Sequence, residues 1–96
     1  MNTETMSLLK LTVKNHPGVL AHVCGLFTRR AYNLEGVMVH PIAGASENIS
    51  RIWLLVKEEA RLQQVMRQTE KLIDVISVEQ HGLEDNVFNH AQRYFV

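Results

Sequence analysis

The residues best suited to chemistry in this chain are Asn15-His16-Pro17-Gly18-Val19-Leu20, which join an alternating apolar stretch to a stretch with helical spacing. The first amides of a helix lack intrahelical acceptors and carry a partial positive charge, so they attract anions. A carboxylate could dock on the amides of Gly18, Val19 and Leu20. The Asn15 carboxamide could donate to that carboxylate or accept from an ammonium group. Carboxylate and ammonium are the two charged groups of a free amino acid.

The same segment also suits a helix start with no ligand at all. Asn is a preferred N-cap residue, and Pro is a preferred residue of the first helical turn. From local chemistry alone, Asn15 could serve only to cap the helix. Both interpretations stay open until the rest of the chain is considered.

The elements around this turn alternate between strand and helix patterns. Apolar residues that alternate with polar ones predict strands, and apolar residues three or four apart predict helices. The predicted strands are Ser7–Lys14, Leu34–Pro41, Ile49–Lys57 and Asp74–Gln80, and the predicted helices are Gly18–Ala31 and Glu58–Lys71. The order β-α-β-β-α-β predicts a ferredoxin-like α+β fold, in which a four-stranded antiparallel sheet carries both helices on one face. Residues 7–81 form this domain, between a flexible N-terminus at 1–6 and a tail at 82–96.

Length and composition narrow the classes of protein. A chain of 96 residues is one domain, and it buries only about 60–65% of its unfolded surface, so association would stabilise it. Ten basic residues balance ten acidic ones, which argues against a nucleic-acid partner. The single cysteine, Cys24, fits a reducing compartment, and no window approaches the ~20 apolar residues of a membrane span. We therefore expect a cytoplasmic protein.

Patterns for catalysis and for metal binding are missing from the sequence. It has no Cys-X-X-Cys pair, no serine or cysteine flanked by a base, and no glycine-rich phosphate loop. No two histidines stand four residues apart with a third ligand nearby; they are His16, His22, His40, His81 and His90. We expect no metal site and no catalytic residue in this chain.

One face of the predicted sheet carries apolar residues that the helices cannot cover. In the third strand, Trp53 and Leu55 alternate against Ile52, Leu54 and Val56. In the second strand, either the pair Val37/Val39 or the pair Leu34/Met38 shares the face of Trp53. An apolar patch of this kind marks a partner surface. The alternative is a face shielded by the chain's own C-terminal tail.

The tail is itself apolar on one side. Val87, Phe88, Ala91, Tyr94 and Phe95 fall at helical spacing. Two phenylalanines and a tyrosine predict a segment that packs on something. It either folds back onto the domain or docks on a partner, and the sequence leaves both alternatives open.

The motifs together are similar to those of a known family. The first turn is followed by Gly25-Leu26-Phe27, by Arg30-Ala31-Tyr32-Asn33-Leu34-Glu35, and later by Ser50-Arg51-Ile52 and Lys71-Leu72-Ile73-Asp74-Val75. This combination, from about Ser7 to Gln80, resembles the ACT domain of acetohydroxyacid synthase (acetolactate synthase) small subunits. The shortness of the chain resembles the isozyme I type of small subunit. Two residues depart from the pattern: Ala31, where many relatives have Gly, and Gly36, where many have Ser.

The resemblance implies a homodimeric regulatory subunit that is not an enzyme. It implies a catalytic partner that carries thiamine diphosphate, Mg²⁺ and FAD, which the small subunit activates and makes inhibitable by valine. The alternatives are an amino-acid sensor of another system and a purely structural activator.

The resemblance also implies where the effector and the partner bind. The effector site lies between two ACT domains and is formed by Asn15, Gly18, Val19 and Leu20 of one subunit and by Asn33, Leu34 and Val37 of the other. The candidate contacts with the catalytic subunit are Trp53, Leu55, Phe88, Tyr94 and Phe95.

Overall fold

Six elements follow one another in the computed structural model, which describes residues 5–15, 17–44 and 48–82. They are β1 (Met6–Lys14), α1 (Val19–Arg29), β2 (Leu34–Pro41), β3 (Ile49–Lys57), α2 (Leu62–Glu70) and β4 (Val75–His81). This order confirms the predicted β-α-β-β-α-β sequence of elements. The bounds of β2 and β3 are also the predicted ones. Neither helix in the described ranges is long and apolar enough to cross a membrane.

The four strands form one sheet in the order β2-β3-β1-β4, and every neighbouring pair is antiparallel. Helix α1 joins β1 to β2 by crossing over β3, and α2 joins β3 to β4 by crossing over β1. Helix α1 therefore lies toward the β2 edge of the sheet, and α2 lies toward the β4 edge. This arrangement is the predicted ferredoxin-like α+β fold.

The core lies between the sheet and the two helices. Its buried residues come from alternate positions of the central strands, from one face of each helix and, at Tyr32, from the segment between α1 and β2: Leu9, Leu11, Val13, Val19, Val23, Phe27, Tyr32, Ile52, Leu54, Val56, Leu62 and Val65. A fully buried side chain of this kind contributes about 1.5–3 kcal/mol of transfer free energy. The period-2 and period-3.6 patterns of the sequence select these residues because one face of each element turns toward this core.

The opposite face of the sheet, which we call the open face, carries Trp53 and Leu55, both half-buried. Met38 is the apolar β2 residue on this face, since it pairs with Trp53, whereas Val37 and Val39 pair with Leu54 and Ile52 on the helix side. Leu34 does not share the face of Met38, because the strand register shifts between Leu34 and Gly36. A one-residue bulge turns the side chains before it to the other face.

Both helices are shorter than predicted. Helix α1 ends at Arg29 because Ala31 adopts a left-handed conformation with φ of 55°. Helix α2 begins at Leu62 rather than Glu58, because the Glu58 amide donates to the Thr5 carbonyl at 2.8 Å and continues the strand pairing. Strand β4 begins at Val75, one residue later than predicted, and ends at His81. The predicted contacts Phe88, Tyr94 and Phe95 lie outside the described residues.

Candidate functional site

The turn between β1 and α1 leads into a helix start that no described side chain caps. Gly18 is the N-cap residue, with φ of 92° and ψ of −12°, and among the described residues no side chain makes a capping hydrogen bond to the helix. The first intrahelical hydrogen bond runs from the His22 amide to the Gly18 carbonyl at 2.9 Å. Asn15 does not cap α1; its backbone amide donates to the Asn48 carbonyl at 2.7 Å. The orphan amides of the first turn are therefore left for another acceptor.

Gly18 also keeps the approach to these amides open. A Cβ built at Gly18 would meet no atom within 4 Å. The requirement for glycine here comes from the positive φ, which L side chains rarely adopt, and not from a lack of space. Leu20, in the same turn, is exposed, with 37% of its surface accessible, whereas Val19 is buried.

The start of β2 holds the other predicted site residues. The exposed Asn33 donates from Nδ2 to the Glu35 carboxylate at 2.7 Å, which leaves the Asn33 carbonyl oxygen as an acceptor. Glu35 is the extra residue of the β2 bulge and is exposed. An open concavity of about 400 Å³ lies beside these residues and is lined by Thr28, Ala31, Tyr32, Asn33 and Leu34.

Four residues near the start of β2 were not among the predicted site residues: Thr28, Ala31, Tyr32 and Glu35. Three of them belong to the motif Arg30-Ala31-Tyr32-Asn33-Leu34-Glu35, which the sequence does single out. The fourth, Thr28, donates its hydroxyl to the Cys24 carbonyl at 2.9 Å within α1. The motif could therefore have drawn attention to Ala31, Tyr32 and Glu35. The sequence did not indicate the bulge that exposes Glu35.

Tyr32 anchors the segment that leads into β2. It is 2% exposed, its hydroxyl donates to the Lys57 carbonyl, and its ring meets the Phe27 ring edge-on at 5.9 Å between centroids. Burial raises the pKa of the Tyr32 phenol above its usual value. A phenol that is neutral and buried in this way fixes the position of its neighbour Asn33.

The two halves of the predicted site lie at opposite ends of one protomer. Leu34 and Ser7 both pair with Val56, so β2 starts level with the start of β1. The Gly18 turn instead follows Lys14, at the far end of β1. Seven residues of strand separate the two levels, which is more than about 20 Å. Within one protomer the structure does not bring Gly18 and Asn33 together.

The β2 edge between these two ends is apolar. Val37 and Val39 lie on the helix side of this edge strand, with 41% and 42% of their surfaces exposed. Helix α1 leaves them partly uncovered because β2 is the outermost strand on this side. An exposed edge strand with β-branched side chains is a template for pairing with another strand.

The predicted partner contacts lie on the open face, away from both halves of the site. The Trp53 indole Nε1 donates to His40 Nε2 at 3.1 Å, and its ring lies 6.3 Å from the His81 ring between centroids. Leu8 is fully buried on this face between Leu55 and His81, with which it pairs. The Trp53 ring therefore lies on the open face between His40 of edge strand β2 and His81 of edge strand β4. Leu8 and Leu55 lie on the same face.

No group of three or more metal-ligating side chains occurs in the described part of the chain. Cys24 is a free thiol whose pKa is raised by burial. A raised pKa keeps a thiol protonated and unreactive at neutral pH, which suits a packing residue.

Comparisons with known proteins agree on one family. The family model that matches residues 9–77 is described as the AHAS small subunit-like ACT domain. The acetolactate synthase isozyme 1 small subunit of Escherichia coli K12 is 47% identical over 93 residues, which cover 97% of this chain and 95% of that protein.

Solved structures of known proteins also superpose on this fold. The small subunit of acetolactate synthase from Thermotoga maritima superposes with a TM-score of 0.67 at 30% identity, over 78% of this chain and 46% of that one. The ACT domain of a GTP pyrophosphokinase from Chlorobium tepidum superposes with a TM-score of 0.67, over 82% of this chain and 100% of that one. Its 16% identity supports the fold alone.

Proposed function

The chain belongs to the family of AHAS small subunit-like ACT domains, and from this premise we propose that it activates the catalytic subunit of acetohydroxyacid synthase and confers feedback inhibition by valine. Its relatives bear the name of acetolactate synthase small subunits, so the chemistry belongs to a separate large subunit. Thiamine diphosphate, Mg²⁺ and FAD are then cofactors of that catalytic subunit. The biosynthesis of branched-chain amino acids in the cytoplasm is the setting of this proposal.

The observation that carries the proposal is the uncapped start of α1. Its free amides suit the carboxylate of an amino acid, and the open space at Gly18 admits that carboxylate. At the start of β2, the Asn33 carbonyl oxygen and the Glu35 carboxylate suit the ammonium group. The apolar residues Leu20, Leu34 and Val37 suit a small branched side chain.

A homodimer would bring these two ends together. A two-fold axis beside β2 pairs the strand antiparallel with its copy, so the start of one β2 lies next to the end of the other. The end of β2 is level with the Gly18 turn, because Pro41 pairs with Ser50 and Lys14 pairs with Ile49. Such an isologous contact would also cover the exposed Val37 and Val39. Two symmetric sites would form for each dimer.

The test is a calorimetric titration of the purified chain with valine, with a matched pair of variants at Gly18. Gly18→Asp and Gly18→Asn impose the same strain at a φ of 92°, but only aspartate places a negative charge on the orphan amides. We expect valine binding to the wild type, weaker binding to Gly18→Asn, and loss of at least a further tenfold in Gly18→Asp, about 1.4 kcal/mol.

Equal affinities of the two variants for valine would contradict the anion site. Leucine, isoleucine and lysine are the comparison ligands. Lysine shares the carboxylate and the ammonium group of valine but not its branched side chain. The same titration with the catalytic subunit present separates the alternatives. A response to another amino acid favours a sensor of a different system, and activation without any amino-acid response favours a structural activator.

We further propose that the open face around Trp53 and Leu55 contacts the catalytic subunit, together with Phe88, Tyr94 and Phe95 of the tail. The support is its position: it faces away from both helices and from the β2 edge, so a dimer that binds valine leaves it available. A partner that binds there does not compete with the effector for the same residues.

A further inference from the structure

We propose that Arg61 is a positioning residue for the effector site, and that its guanidinium holds Ala31 in a conformation which glycine would adopt unaided. The proposal rests on the function proposed above, because it concerns how Asn33 and Leu34 are presented to a ligand. Arg61 itself does not line the concavity beside these residues. It would therefore act on the ligand through the segment 30–33.

The contacts of Arg61 converge on the end of α1. Its Nη1 donates to the Arg30 carbonyl, and its Nη2 donates to the Ala31 carbonyl at 2.9 Å. The planar guanidinium thus grips two consecutive carbonyls with two parallel donors, which a lysine cannot do.

Two more contacts fix the direction of that grip. Nε of Arg61 bonds the Glu59 carboxylate at 3.1 Å, and the guanidinium carbon lies 4.8 Å from the centroid of the Tyr32 ring. An arginine that stacks on an aromatic ring and pairs with a carboxylate has few conformations left. Arg61 at the start of α2 is therefore a rigid link to the end of α1.

The segment it holds is a strained one. Ala31 has φ of 55°, and it is the one non-glycine residue with positive φ among those described. The left-handed region disfavours residues with a Cβ, so such a conformation persists only where its surroundings enforce it. The amides of Ala31 and Tyr32 close the end of α1 by donating to Thr28 and Phe27 carbonyls at 2.9 and 2.8 Å. In the same turn, Arg61 binds the carbonyls of Arg30 and Ala31.

The link to the ligand follows from the lining of the concavity. Ala31 and Tyr32 line it together with Asn33 and Leu34. If Ala31 leaves the left-handed region, the chain direction after it changes, and the Asn33 side chain moves relative to the concavity. Arg61 therefore controls the affinity of a site that it does not touch.

The experiment is a double-variant cycle of Arg61→Ala and Ala31→Gly, in the chain together with its catalytic subunit. The readout is the valine concentration that gives half-maximal inhibition, and we expect Arg61→Ala to raise it about tenfold. Adding Ala31→Gly to that variant should bring it back to within about twofold of wild type, because glycine adopts positive φ without help. Arg67→Ala, at an exposed arginine of the same helix, is the matched control and should leave it unchanged.

A second readout does not need the ligand. The NMR resonances of the Asn33 side-chain amide should shift in Arg61→Ala and return in the double variant. The proposal would be overturned if Arg61→Ala weakens inhibition by valine and the added Ala31→Gly does not restore it. Arg61 would then be a general stabilising residue. Unchanged inhibition and unchanged Asn33 resonances would also overturn the proposal. A wild-type chain that does not respond to valine, but whose Asn33 resonances follow the cycle, would instead overturn the proposed effector and leave the Arg61 link standing.

Discussion

Glu35 shows how one backbone irregularity changes the chemistry of a strand end. In a regular strand its side chain would alternate with that of Leu34, but the bulge gives it no partner on β3 and leaves its carboxylate exposed beside Asn33. Bulges re-aim side chains in this way next to binding sites. A carboxylate at this place adds negative charge where the proposed effector carries its ammonium group.

Replacing Glu35 by Gln should therefore affect ligands that carry an ammonium group. We expect Glu35→Gln to weaken valine binding about tenfold, since the ammonium group then meets an uncharged amide oxygen in place of a carboxylate. Isovalerate has the same branched side chain and carboxylate but no ammonium, so its weaker binding should not change. Parallel calorimetric titrations of both ligands measure the difference. A similar loss for both would show that Glu35 shapes the site and does not recognise the ammonium group.

At the scale of elements, local sequence patterns predict some element boundaries, and contacts between residues distant in the sequence determine others. The alternation of residue types predicts β2 and β3 with their observed bounds, and in β3 the alternate residues are buried. The start of α2 was not predictable, since the Glu58 amide is held by Thr5, more than fifty residues away in the sequence. The left-handed turn at Ala31, which Arg61 contacts from α2, and the bulge at Glu35, which is defined by pairing with β3, were not predicted either. The sequence motifs supplied the proposed site residues, but only the strand register shows that these residues lie at opposite ends of one protomer.

The β2 edge should control self-association. Val39→Lys places a charge on this exposed edge, and edge lysines prevent strands from pairing. We expect this variant to sediment as a monomer at concentrations where the wild type is a dimer. Ile76→Lys is the matched control, because Ile76 is 52% exposed on the other edge strand, β4. A dimer that Ile76→Lys dissociates and Val39→Lys does not would place the two-fold axis beside β4.

The open face should control activation of the catalytic subunit. Trp53→Ala removes the largest side chain of this face and its hydrogen bond to His40, but it leaves the α1 turn and the β2 edge in place. We expect at least a tenfold loss in the affinity for the catalytic subunit, as is common for a buried interface tryptophan. Valine binding to the isolated chain should change little. Joint loss of both activities with a lowered melting temperature would assign Trp53 to the folding core.

At the scale of the whole molecule, small size and regulation are connected. A chain of 96 residues gains stability from any surface it buries in a dimer. A ligand that binds only where two protomers meet stabilises the dimer by mass action, and the dimer raises the affinity for the ligand in return. Under the proposed function, inhibition needs only that valine favour one arrangement of the two protomers over another. A typical coupling of this kind is about 1–3 kcal/mol.

The wide separation of the Gly18 turn from the start of β2 has a consequence that genetics can detect. If each site takes its turn from one protomer and its strand end from the other, two defective chains can complement each other. In a mixed dimer of Gly18→Asp with Leu34→Asp, both lesions fall in one site, and the other site is intact. Random mixing would restore about one quarter of all sites, whereas a site contained within one chain would give none. Valine inhibition recovered by mixing two insensitive subunits would thus reveal sites shared between protomers.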